Sequence, residues 1–198
     1  MGSKVRLYFD GVFFLMLACA LLILPLRWVI AWCMAVAAHE AGHYASLRLF
    51  SVQVQSITFS PTGIRMQTGY LTPRAEFFCA VSGPLAGFSV LLLSKYIPYT
   101  AFCAFLHSAF NLLPVYPMDG GRVLRVILAG LLKNERIACT TEKWISLLLF
   151  CSLSAFAVKF HLGLGVILGN FLIFVQNILA NREKKQYNRG KQIFEVRL

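Results

Sequence analysis

Apolar runs recur from one end of this chain to the other: residues 11–26, 28–38, 102–115, and 145–179 with one polar break. A hydrocarbon core is crossed by about 20 helical residues at about 1.5 Å each, so these runs together with residues 75–93 leave room for roughly six spans. A soluble fold would need more polar surface than the sequence offers, because 58% of its 198 residues are hydrophobic and 14% are charged, and the mean hydropathy is +0.68. Lipid is therefore the solvent for most of the chain. The expected fold is an all-α polytopic membrane protein with about six transmembrane helices, near residues 8–26, 28–50, 75–95, 101–121, 144–158 and 162–179. It forms one membrane-embedded domain over residues 1–180, followed by a basic cytoplasmic tail over 181–198.

The formal charge of +11 would raise the question of nucleic acid in a soluble protein. With six spans and the N-terminus inside, however, every Lys and Arg except Arg27, Lys95 and Lys159 falls on the cytoplasmic side. That asymmetry is the positive-inside pattern, so the basicity sets orientation and meets anionic headgroups, and no nucleic-acid partner is expected. Lys4 and Arg6, followed by an apolar run containing Ala18-Cys19-Ala20, imitate a signal peptide. The run stays apolar past that point, through Leu21 to Leu24, which favours a retained first span. Six cysteines without CxxC spacing read as small apolar residues.

One segment breaks the helical pattern. Residues 52–59 and 64–67 largely alternate apolar and polar on either side of Ser60-Pro61-Thr62-Gly63, which predicts a short β-hairpin after the second span. Further on, Ser82-Gly83-Pro84-Leu85-Ala86-Gly87 concentrates small residues in the third span, where a neighbouring helix can approach closely.

Chemistry enters with His39-Glu40-Ala41-Gly42-His43, an HExxH pentapeptide at the end of an apolar run. On a helix, residues four apart are separated by about 6 Å along the axis and about 40° around it, so both imidazoles can reach one metal ion. Glu40 flanks the same face and is suited to take a proton from a water acidified by that metal. Ionisable groups at membrane depth cost several kcal/mol unless they are partnered, and a dication supplies the partner. A hydrolytic zinc site uses three protein ligands and one open position. For the third ligand the chain offers Asp10, His107, Asp119 and His161. Counting helical rise from the span ends places Asp119 nearest in depth to the imidazoles, with His107 too far outward and His161 on the opposite side.

The stretch Asn111-Leu112-Leu113-Pro114-Val115-Tyr116-Pro117-Met118-Asp119-Gly120-Gly121 matches an NxxPxxPxDGG element. With the HExxH helix and the Gly83-Pro84 segment between them, it resembles the site-2 proteases, peptidase family M50, over about residues 28–130. The resemblance implies a zinc metalloprotease with His39, His43 and Asp119 as zinc ligands, Glu40 as catalytic base, and Asn111 as a substrate-positioning residue. It also implies an active site toward the cytoplasmic leaflet of the cell membrane. The chain is most similar to the compact stage IV sporulation-type branch, whose substrates are membrane-associated proteins such as a pro-sigma factor, an anti-sigma factor or a signal-peptide remnant. A homo-oligomer and a regulatory membrane partner are both compatible with such a chain. An alternative reading is a catalytically idle protein of the same fold that binds and sequesters membrane helices, and the intact Glu40 argues against it. A transporter reading would call for repeat symmetry between the halves, and none is visible in the sequence.

Overall fold

The structure, a computed structural model, describes residues 5–60, 63–116 and 118–159. The expected sixth span at 162–179, the basic tail, His161, Lys4, the two central residues of the hairpin turn and Pro117 lie outside these residues. The described part is mostly helical, with one small sheet, and it divides into two compact units, Met1–Leu112 and Leu113–Leu198.

The first unit begins with a strand, β1 (Arg6–Phe9), where the sequence pattern places the start of the first span. Asp10 then caps helix α1 (Gly11–Ile23) by accepting the Val12 N–H at 3.1 Å, so it closes the helix N-terminus. The hairpin is present as β2 (Val54–Ser60) and β3 (Gly63–Thr68), paired antiparallel, and β1 adds to β2 in parallel to give the order β1-β2-β3. Phe9 stacks on Phe59 with ring centroids 4.7 Å apart, which ties the start of the chain to the hairpin. The pairing slips between Val54 and Ser56, so Gln55 is a bulge residue in the central strand.

Helix α2 (Leu26–Leu49) carries the HExxH residues and packs against α3 (Pro73–Ser89), which continues as a 3-10 turn over Val90–Leu93. Thr72 caps α3 and Pro73 fills its first turn, where a missing N–H costs nothing. The α2–α3 contact is backbone-close because Gly42 lies over the Ser82 carbonyl and the Ala86 methyl; any Cβ at position 42 would overlap both. Helix α4 (Pro98–Asn111) closes on the same pair: Gly87 accommodates Ser108, while Ala31, Ala35, Cys103 and Ala104 form a small-residue core under Trp28 and Val90. A second cluster, Leu47, Val54 and Cys79, seats the sheet against the C-terminal end of α2.

In the second unit, α5 (Asp119–Leu132) ends at Lys133 in a left-handed conformation, φ 48°. The Asn134 side chain then accepts the N–H groups of Arg136 and Ile137 and opens α6 (Glu135–Lys159). Residues 122–143 are thus helical on both sides of one tight turn. The expected fourth span over 101–121 does not exist as one helix: α4 stops at Asn111, and α5 begins only at Asp119. Pro114 explains the break, since a proline removes a donor and clashes with the preceding turn.

Among the described residues, two helical stretches, Pro73–Leu93 and Arg136–Phe156, are long and apolar enough to cross a membrane. Large apolar side chains cover the outside: α1 has no buried residue, and Leu22 and Ile23 are 87% and 79% exposed. Such surface is costly in water and ordinary against lipid.

Candidate metal centre

Four residues apart on α2, His39 and His43 point the same way, and their Nε2 atoms lie 3.1 Å apart. Both are buried, at 2% and 8% exposure. Two nitrogens held at about 2.0–2.1 Å by a tetrahedral ion would be separated by about 3.3 Å, so the pair already stands at ligand spacing. The second nitrogen of His43 is committed elsewhere: Nδ1 donates to the Cys79 carbonyl at 2.7 Å, which leaves Nε2 with its lone pair for a metal. Gly83 forms the floor, because a side chain there would overlap the His43 ring and come within 2.9 Å of His39 Nε2.

Glu40, half-buried, lines a groove of about 820 Å³ whose other walls are mainly apolar, among them Phe13, Trp28, Trp32 and Ile64. His107 lines it too, and its ring centroid lies 4.7 Å from that of His39. Depth counting along a supposed continuous span had set His107 too far outward; with α4 starting at Pro98 and crossing α2, its ring instead packs edge-on against the HExxH face. Asn111, one turn later, directs Nδ2 to the His107 carbonyl at 2.9 Å and to its Nε2 at 3.3 Å. Sequence reasoning missed this role for His107, although its spacing of four from Asn111 carries the signal.

Asp119 belongs to the second unit, where it is the first residue of α5 and 5% exposed. Arg122 Nη1 donates to its Oδ1 at 3.4 Å. The approach to Asp119 is tightly folded: the Met118 N–H donates to the Val115 carbonyl at 2.9 Å, and Gly121 backs onto the Val115–Tyr116 peptide, where no Cβ fits. The Asp10 carboxylate, committed to capping α1, sits outside this chemistry.

A helix that turns two imidazoles onto one point, with the Glu40 carboxylate in the adjoining groove, defines a metal-binding class of site, built on donors suited to zinc. The family model of peptidase family M50 matches residues 90–155. Zinc metalloprotease MJ0392 of Methanocaldococcus jannaschii is 28% identical over 213 residues, which is 93% of this chain and 63% of that protein. The chain therefore spans less than two thirds of that relative's length. A solved structure, the site-2 protease from Methanocaldococcus jannaschii, shares the fold with a TM-score of 0.63 at 20% identity, covering 90% of this chain and 93% of that one. In sequence the chain thus resembles peptidase family M50, and in fold a site-2 protease.

Proposed function

We propose that the chain is an intramembrane zinc metalloendopeptidase that cleaves a membrane-associated protein. The observation that carries this reading is the His39–His43 pair, Nε2 atoms 3.1 Å apart, with Glu40 beside it lining an apolar groove. His39, His43 and Asp119 would hold the ion, a donor set that suits hydrolytic zinc. When bound, zinc supplies Lewis acidity that acidifies water and polarises an amide carbonyl. Glu40 takes the proton from the attacking water and hands it to the leaving amine. Asn111, whose Nδ2 donates to the His107 carbonyl, keeps Oδ1 as an acceptor for a backbone N–H of the substrate. The apolar groove excludes bulk water around the scissile bond and accommodates the side chains of a segment drawn from lipid.

A helical substrate keeps its amides internally bonded and must be presented extended, which an exposed strand edge favours. β2 is flanked on both sides, so Gln55 is not at an edge; among the described residues the outer side of β3 is open. Gln67→Pro, on β3, is expected to slow cleavage about tenfold with unchanged zinc content; cleavage at the wild-type rate by the folded variant would exclude strand addition there.

Six spans, cytoplasmic termini and an active site toward the cytoplasmic leaflet accord with the distribution of Lys and Arg. Pro-sigma factors, anti-sigma factors and signal-peptide remnants are substrates of the right kind, all being membrane-associated segments. The test is co-expression with single-span membrane proteins, followed by assay of the purified pair in proteoliposomes. Cleavage is expected to stop on chelation and return with zinc, whereas cleavage that survives complete metal removal would overturn the reading.

A further inference from the structure

Within the second unit lies a buried charged network that the cleavage chemistry does not use. Glu142, on α6, is fully buried. Its Oε1 accepts the Tyr116 backbone N–H at 3.0 Å and the Ser146 hydroxyl at 2.7 Å, while Oε2 accepts from Arg125 Nη2 at 2.7 Å. The Arg125 guanidinium lies over the Tyr116 ring, 3.8 Å from its centroid. A buried ion pair adds little net stability compared with apolar residues of the same size, so stability alone does not account for this one.

What the network grips is informative. Tyr116 lies three residues before Asp119, in the irregular segment between α4 and α5. Its peptide is held from one side by Gly121, whose bare Cα backs onto Tyr116 N and the Val115 carbonyl carbon. From the other side it is held by Glu142 through its N–H and by Arg125 through its ring. Two helices, α5 and α6, thereby fix the one segment whose path sets where the Asp119 carboxylate leaves the backbone.

We infer that Glu142 and Arg125 are positioning residues for Asp119: they hold the Tyr116 peptide so that the carboxylate is preset for a metal ion. This inference rests on Asp119 being a metal ligand. Groups that orient metal ligands through hydrogen bonds typically change metal affinity by about 10- to 100-fold when removed.

The experiment compares zinc affinity, measured by competition with a chromogenic chelator, among four full-length variants, alongside the melting temperature of each metal-free form. Asp119→Ala must weaken zinc binding; if it does not, Asp119 is no ligand and the reading beneath the inference fails. Glu142→Leu/Arg125→Met removes both charges and the grip on Tyr116, and is expected to lose about 10- to 100-fold in zinc affinity at an unchanged melting temperature. Glu142→Gln/Arg125→Met removes the charges but keeps an acceptor for the Tyr116 N–H, and is expected to recover zinc affinity to within about threefold of wild type. Should the Leu/Met pair fail to fold, Glu142→Asp, which retains the charge but withdraws it from Tyr116, serves in its place with an expected loss of about tenfold. Wild-type affinity in the Leu/Met or Asp variant, with Asp119→Ala impaired, would overturn the positioning role and leave the ligand set standing.

Discussion

Replacing Glu40 with Gln is expected to reduce cleavage by about 10²- to 10⁴-fold while zinc remains bound. The magnitude is that of a positioned general base, which exchanges a proton with the reacting groups in the transition state. Glutamine keeps the size and the hydrogen-bonding reach of the side chain but cannot accept that proton. The ion is unaffected because Glu40 is not among its proposed ligands: it lines the groove beside the His39–His43 pair. Single-turnover cleavage in proteoliposomes, paired with metal analysis of the same preparation, separates the two effects. A Glu40→Gln variant that cleaves at the wild-type rate would remove general-base catalysis from the account.

Gly83→Ala is expected to empty the metal site and abolish cleavage. The added methyl would occupy space now filled by the His43 ring and would crowd His39 Nε2 at 2.9 Å. The floor cannot drop away, because Gly42 already presses α2 against the Ser82 carbonyl and Ala86 of the same helix α3. Nor can His43 simply swing aside without losing its 2.7 Å bond to the Cys79 carbonyl. Overpacking of this kind typically costs about 1–3 kcal/mol, and here the strain falls on the two ligands. Gly130→Ala, with open space around it, is the matched control and should retain both zinc and activity. Zinc retention by Gly83→Ala equal to that of the control would show that the imidazoles do not need this floor.

Much of the site was legible because its geometry is local. The four-residue spacing of His39 and His43 is a property of a helix, and α2 is that helix. The hairpin was likewise visible in the alternation around Ser60 to Gly63, and β2 and β3 carry it. What escaped depends on partners far apart in sequence. Arg6 to Phe9 are too short and aromatic-rich to stand apart from the apolar run that follows, yet they pair in parallel with Ser56 to Phe59. Arg125 was read as one more cytoplasmic cation, but it is buried against Glu142 seventeen residues on. The depth assigned to Asp119 assumed one unbroken span, whereas the chain leaves the helix at Asn111 and starts a new one at Asp119 itself. His107 was set aside by the same assumption. Its position against His39 follows from how α4 crosses α2, which no count along a single helix can supply.

The most direct test is the zinc content of the full-length chain, purified without chelators, compared with Asp119→Ala and His43→Ala. The proposed zinc site implies one zinc per wild-type chain, with ligand distances by X-ray absorption of about 2.0–2.1 Å to imidazole nitrogen and about 2.0–2.2 Å to carboxylate oxygen, and loss of the ion in both variants. A metal-free wild-type chain, or full zinc occupancy in Asp119→Ala, would contradict it.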